Sequence, residues 1–233
     1  MIQNTKYFYG HKLTAMDGEI GTVKDFYFDD ESWVVRYLVA DTGSWLSSRK
    51  VLLAPHVFGL WDRKKKTLQV NLTRKQIEDS PSIESDRPVS RQHEIEYYSH
   101  FGFSPYWVGG GMWGVSGFPV GAPLSREVFK AQLHKHDDDD DDIHLRSTKA
   151  VQGYAIQASD GEIGKVTSFR VDDRSWAIQQ VAVEAGHWYA GKEILIPVAS
   201  IDHISYEGSQ ISVSLTKANI QSTADHEIAR VER

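Results

Sequence analysis

Apolar positions recur along this chain in two patterns, and each pattern occurs twice. Leu68, Val70 and Leu72 alternate with Gln69 and Asn71, and Ile211, Val213 and Leu215 alternate with Ser212 and Ser214. That period of two predicts a half-buried strand at each place. Upstream, Ile20, Val23, Phe26 and Phe28 correspond to Ile163, Val166, Phe169 and Val171. Their spacings break strict alternation and predict a strand with a turn or bulge near its start. Trp33 to Ala40 with Trp176 to Val183, and Val51 to Ala54 with Ile194 to Ile196, are β-rich runs, the latter two ending near Pro55 and Pro197. Asp17-Gly18 and Asp160-Gly161 are hairpin-turn dipeptides, and Asp29-Asp30 opens the next turn. Thr73 with Gln76 predicts a capping box for a short closing helix, and Thr216 predicts a cap for its counterpart.

From Asp17 to Asp160, and at every other pair, the offset is 143 positions without a gap. The match runs on through Gly43/Gly186, Trp45/Trp188, Leu52/Leu195 and Thr73/Thr216. One folding unit has therefore been duplicated. Each copy reads as five or six short strands and a terminal helical turn, which is a small β-barrel and a mainly β fold class. The expected boundaries are 1–81 for the first barrel, 82–149 for a connector, 150–224 for the second barrel and 225–233 for a tail. Units of this size are marginally stable alone. Docking of the copies as an internal pseudo-dimer, or of the connector onto them, is expected to add core.

The repeated motif G-x-x-[AS]-x-D-G-E-I-G-x-V-x-x-F-x-x-D-D-x-S-W, followed by a strand, L-x-P or a near variant and V-x-L-T, resembles the PRC-barrel family across roughly residues 7 to 81 and 150 to 224. This fold is shared by the cytoplasmic domain of the photosynthetic reaction-centre H chain and the C-terminal domain of a ribosome-maturation factor. The connector, with Arg87-Pro88-Val89-Ser90-Arg91, Tyr97-Tyr98, Pro105-Tyr106-Trp107 and Leu145-Arg146-Ser147, is similar to the middle of two-barrel bacterial members. The resemblance implies SH3-like, partly open barrels used mainly for protein contacts. Neither the H chain's membrane helix nor the ribosome factor's partner domain is evident.

The connector is expected to hold a helix from Arg91 to His100 capped by Ser90, and another from Arg126 to about Lys135 capped by Ser125. Between them, Phe101 to Leu124 is rich in glycine and aromatic residues, which predicts an ordered arm rather than disorder. Asp137 to Asp142 reads as a solvated tether. Those six aspartates equal the whole formal charge of −6, so the remainder is balanced, which argues against general nucleic-acid binding. Cysteine is absent, excluding disulfides, a thiolate nucleophile and cysteine-based metal sites. Met1 to Gly10 lacks the apolar core of a signal peptide, and the glycine- and proline-rich run 101–125 does not read as a membrane span. A cytoplasmic location is expected.

Candidate chemistry is sparse. Gly109 to Gly114 satisfies G-x-G-x-x-G but lacks the surrounding βαβ unit and the ribose-binding acid. His136, Asp137, Asp138, Asp139, Asp140 and His144 are weak metal candidates whose spacing fits neither an EF-hand nor a zinc helix. Asp17/Glu19 and Asp160/Glu162 read as turn residues rather than paired acid and base. Arg63, Lys64, Lys65 and Lys66 form a basic hairpin tip suited to anionic contact, replaced in the second copy by Tyr206-Glu207-Gly208-Ser209. Tyr106, Trp107 and Trp113 are candidates either for covering a barrel or for gripping a partner. No catalytic residue and no cofactor is expected. The leading expectation is a non-catalytic protein-binding or assembly module, with a partner in a membrane-bound electron-transfer complex as one version. The alternative is a metal- or small-ligand-binding regulatory protein, or an unrecognised enzyme.

Overall fold

The computed structural model describes residues 1–81, 89–114, 116–120, 145–189 and 191–223. The repeats fold as two separate seven-stranded sheets, each mostly antiparallel and neither closed. The first holds β2 (Lys12–Ala15), β3 (Gly18–Asp29), β4 (Val34–Asp41), β5 (Lys50–Leu53), β6 (Phe58–Asp62) and β7 (Thr67–Val70), in the order β5-β4-β3-β2-β7-β6. The second holds β9 (Ala155–Ala158), β10 (Gly161–Asp172), β11 (Ile178–Ala185), β12 (Glu193–Pro197), β13 (Ile201–Ser205) and β14 (Gln210–Val213), in the equivalent order. Within each, one pair is parallel, β2 with β7 and β14 with β9.

The seventh strand of each sheet comes from the stretch of chain preceding the other repeat. β1 (Ile2–Asn4) pairs with β10 as Ile2↔Asp172, and β8 (Leu145–Ser147) pairs with β3 as Asp29↔Leu145. The compact units follow this exchange. One comprises residues 1–6, 148–172 and 177–233; the other comprises 7–147 and 173–176. In the former, the buried Thr5 hydroxyl accepts from the Phe169 backbone N–H at 3.3 Å. In the latter, Ser147 donates to Asp25 and Arg146 pairs with Asp30 at 3.3 Å.

The irregular apolar spacing has a register cause. Leu13 pairs with Gly21 and Thr14 with Glu19, leaving Ile20 as a bulge; Val23 pairs with Ala40 and Asp25 with Val39, leaving Lys24 as a second. The other sheet repeats both bulges, at Ile163 and Thr167. Each extra residue turns the following side chains by one face, so Ile20, Val23, Phe26 and Phe28 all reach the core. At Gly21 a Cβ would lie 2.0 Å from the Asp41 carbonyl oxygen, and at Gly164 it would lie 2.0 Å from that of Glu184. Only glycine admits the neighbouring strand so closely.

The first hairpin differs from the expected Asp-Gly turn. Ala15 pairs with Gly18, so Met16-Asp17 form the turn and Gly18 starts β3. Asp17 is thereby free of the turn's second half and accepts from the Arg74 backbone N–H at the start of the closing helix α1 (Arg74–Glu78). The Thr73/Gln76 capping box forms as expected.

Candidate functional site

The unit built on the first repeat carries the chain's distinctive polar chemistry. Strand β4 reads Val-Val-Arg-Tyr-Leu-Val-Ala-Asp, and its Arg36 and Tyr37 are both buried. Above them sits α2 (Arg91–Phe101), opened by the expected Ser90 cap, whose hydroxyl accepts from His93 N–H, and closed at Gly102 in the left-handed conformation. Buried Pro105 and Tyr106 and half-buried Trp107 follow. A tight turn then brings Gly111 opposite Gly114 and Trp113 opposite Ser116. The G-x-G-x-x-G match is therefore a turn that presents Trp113.

Glu94 on α2 is 0% exposed. Its carboxylate accepts from the Tyr37 hydroxyl at 3.0 Å, the Tyr106 hydroxyl at 3.2 Å and the Arg91 guanidinium at 3.0 Å. Arg91 also donates to Tyr106 at 3.1 Å and lies 4.3 Å from the Trp107 ring centre. A carboxylate without water is stable only when so partnered.

Arg36 forms the second node. It donates to Asp29 at 3.2 Å, Ser32 at 3.0 Å and the Met112 carbonyl at 2.6 Å, and its guanidinium lies 3.7 Å from the Tyr106 ring centre. The Trp113 indole N–H donates to the Ser175 carbonyl at 2.7 Å. Tyr106 and Trp113 are thus spent on covering the barrel, and Trp107 contributes one half-buried face.

Electrostatics matches this geometry. Burial would raise the Asp29 carboxyl, but hydrogen bonds from Ser32 and the Arg36 charge outweigh it and hold the group below its ordinary range. Burial, reinforced by Glu94, pushes the hydroxyls of Tyr37, Tyr98 and Tyr106 well up, so all three stay protonated, and those of Tyr37 and Tyr106 donate to Glu94. His56, stacked on Phe103 with centroids 5.7 Å apart, is lowered to about 4 by burial and then by Arg36. The arrangement favours fixed charges and fixed protons, which suits a rigid scaffold.

The basic tip lies where expected, between β6 and β7, with Arg63, Lys64, Lys65 and Lys66 exposed. Arg63 pairs with Asp173, and Lys66 adopts a positive φ of 52°. Beside the tip, β6 ends the sheet path, and its Leu60 is 68% exposed. The hairpin and the polar cluster are different parts of the unit. The metal candidates His136, Asp137, Asp138, Asp139, Asp140 and His144, the Ser125-capped helix and the aspartate tether lie outside the described residues.

The Glu94–Arg36 network was missed in the sequence. Its signal was an arginine and a tyrosine inside an apolar strand, where the second repeat has Gln179 and Gln180.

Residues 13–77, the strands and closing helix of the first repeat, match the family model of the PRC-barrel domain. None of the curated proteins compared with the chain matches it.

Proposed function

We propose that this chain, which carries a PRC-barrel domain over residues 13–77, is a non-catalytic interaction module that holds a protein partner on the outer hairpin of its first repeat. The observation carrying the reading is the division of labour in that unit. The arm's Tyr106 and Trp113 are buried, whereas Leu60 and the Arg63–Lys66 tip are exposed together on the strand that ends the sheet. Edge strands recruit partners through their unpaired backbone, and a cationic tip steers an acidic one. The fold does not require this chemistry, because the second repeat makes its hairpin with Tyr206-Glu207-Gly208-Ser209.

The general character of PRC-barrel domains as contact modules supports the absence of catalysis. No helix among the described residues is long and apolar enough to cross a membrane. A partner within a membrane-bound electron-transfer complex, met from the cytoplasmic side, is the finer version; it rests on the likeness to the H-chain domain.

The test is a tagged K64E/K65E chain in affinity capture from the native cell. A discrete partner recovered by the unaltered chain and lost by the variant, with thermal unfolding unchanged, is the expected outcome. Equal recovery by both removes the tip from the interface.

A further inference from the structure

We infer that Tyr37 and Glu94 form a redox-active pair, which yields one electron through Trp107 to an oxidising radical at the surface of the unit built on the first repeat. A phenol gives up an electron readily only where a base stands ready for its proton. Tyr37 is 0% exposed, and its hydroxyl donates to Glu94 Oε1 at 3.0 Å, within reach for direct proton transfer. Burial holds the phenol well above its ordinary value, so Tyr37 keeps its proton while it keeps its electron. Oxidation turns the phenol into a strong acid, and the proton then passes to the carboxylate.

Neighbouring rings supply the route. Trp107 is half-buried, with its ring centre 5.3 Å from that of Tyr98 on α2, and Tyr98 lies 6.5 Å from Tyr37. Tyr97 offers a parallel path, 5.7 Å from Tyr98 and 5.1 Å from Tyr37. Electrons tunnel quickly between rings in near contact. An oxidant that touches Trp107 therefore needs no entry to the core.

The surrounding polar groups select Tyr37 as the ring on which the deficit settles. Tyr106 also reaches Glu94, at Oε2, but its oxygen accepts from Arg91 and its ring centre lies 3.7 Å from the Arg36 guanidinium. Two cations so close oppose removal of an electron from that ring. The Tyr97 hydroxyl accepts from the Ala54 N–H, which likewise holds electron density in place.

The repeat supplies an internal control. At the position of Tyr37 the second copy has Gln180, and it forms the same strand, so the fold does not require a phenol there. None of these residues lies on β6 or the basic tip, and the pair is separate from the contact proposed for the outer hairpin.

The step balances. The Tyr37 phenol, the Glu94 carboxylate and a radical of the peroxyl class become a neutral tyrosyl radical, a Glu94 carboxylic acid and a peroxide anion that takes its proton from water. A reductant of the ascorbate class returns the electron, and Glu94 returns the proton.

The test is flash photolysis of the full chain with tris(bipyridine)ruthenium, a one-electron oxidant too bulky to enter the core, and a cobalt(III) ammine as sacrificial acceptor, read by electron paramagnetic resonance. A neutral tyrosyl signal that outlives the surface radicals is expected. Y37F is expected to lose it, and W107F to slow its appearance by about tenfold or more. E94Q keeps the side-chain size but removes the base, and is expected to lose the signal as well. A cooperative urea transition in each variant separates loss of the signal from loss of the fold. Absence of a persistent tyrosyl signal from the unaltered chain, or a signal of equal size and rate in folded Y37F, W107F or E94Q, would overturn the inference.

Discussion

The Asp17 carboxylate accepts a hydrogen bond from the Arg74 backbone N–H at 2.7 Å, and 143 residues later Asp160 does the same for Lys217 at 2.9 Å. The aspartate of each repeated motif therefore ties the first hairpin to the start of the helix closing the barrel. It satisfies a backbone donor that the helix itself leaves open. D17A is expected to cost about 1 kcal/mol, the usual loss at a helix cap, and D160A a similar amount. Urea unfolding of the two single variants measures both. An unchanged midpoint in either would show that water replaces the carboxylate.

Glu94 is expected to be the most sensitive polar residue of the unit built on the first repeat. E94L leaves Arg91 without its carboxylate partner and should cost about 3–5 kcal/mol, whereas Y37F removes one neutral donor and should cost about 1 kcal/mol. A double-mutant cycle between them, read by urea unfolding, should give a coupling energy distinct from zero, because both substitutions act on one network.

His56 should make stability fall on acidification. Its ordinary value is 6.5 and its folded value about 4. Above 6.5 it is neutral in both states and contributes nothing to the pH dependence. Between those values the unfolded chain takes up a proton that the folded chain resists, so stability is lost as pH falls, by up to about 3 kcal/mol. Arg36 and the edge of Tyr98 face the imidazole, and neither relieves a charge placed there. H56F keeps the stack on Phe103 and should flatten the difference between urea midpoints at pH 7 and pH 4.5. His11 and His93, also lowered by burial, remain in both chains and cancel in that comparison.

Removing residues 1–6 should loosen the second repeat and spare the first. Those residues supply β1 to β10, the Thr5 hydroxyl to Phe169 N–H and the Asn4 amide to Ser168 at 2.9 Å. Amide exchange at Phe169 should accelerate at least tenfold in the truncated chain, with amides of β4 unchanged. Unaltered protection at Phe169 would mean that β1 adds no stability.

Most of the fold was legible because its signals are local or doubled. The 143-residue offset, the Thr73/Gln76 box, the Ser90 cap and the broken spacing from Ile20 to Phe28 each reduce to neighbouring residues. The exchanged strands were not legible, since three residues such as Ile2–Asn4 carry no period and their partner Asp172 lies far along the chain. Nor was the left-handed backbone of Trp33 and Trp176, because bulky residues at φ 56° and 62° defy propensity and are held by their surroundings. The polar cluster stayed hidden because Arg91-Gln-His-Glu-Ile-Glu reads as a solvated helix face until Tyr37 and Tyr106 are seen to enclose Glu94. The basic tip was visible as a charge run at a turn, but the exposure of Leu60 beside it follows from β6 ending the sheet.

The first repeat's outer hairpin, and not its twin, is the contact surface proposed for this chain. A photoreactive benzoylphenylalanine placed at Leu60, and in a second chain at the equivalent His203, tests it in the native cell. One discrete cross-linked polypeptide is expected from position 60, abolished by K64E/K65E, and none from position 203. Adducts of equal yield at both positions, or none at position 60, would contradict it.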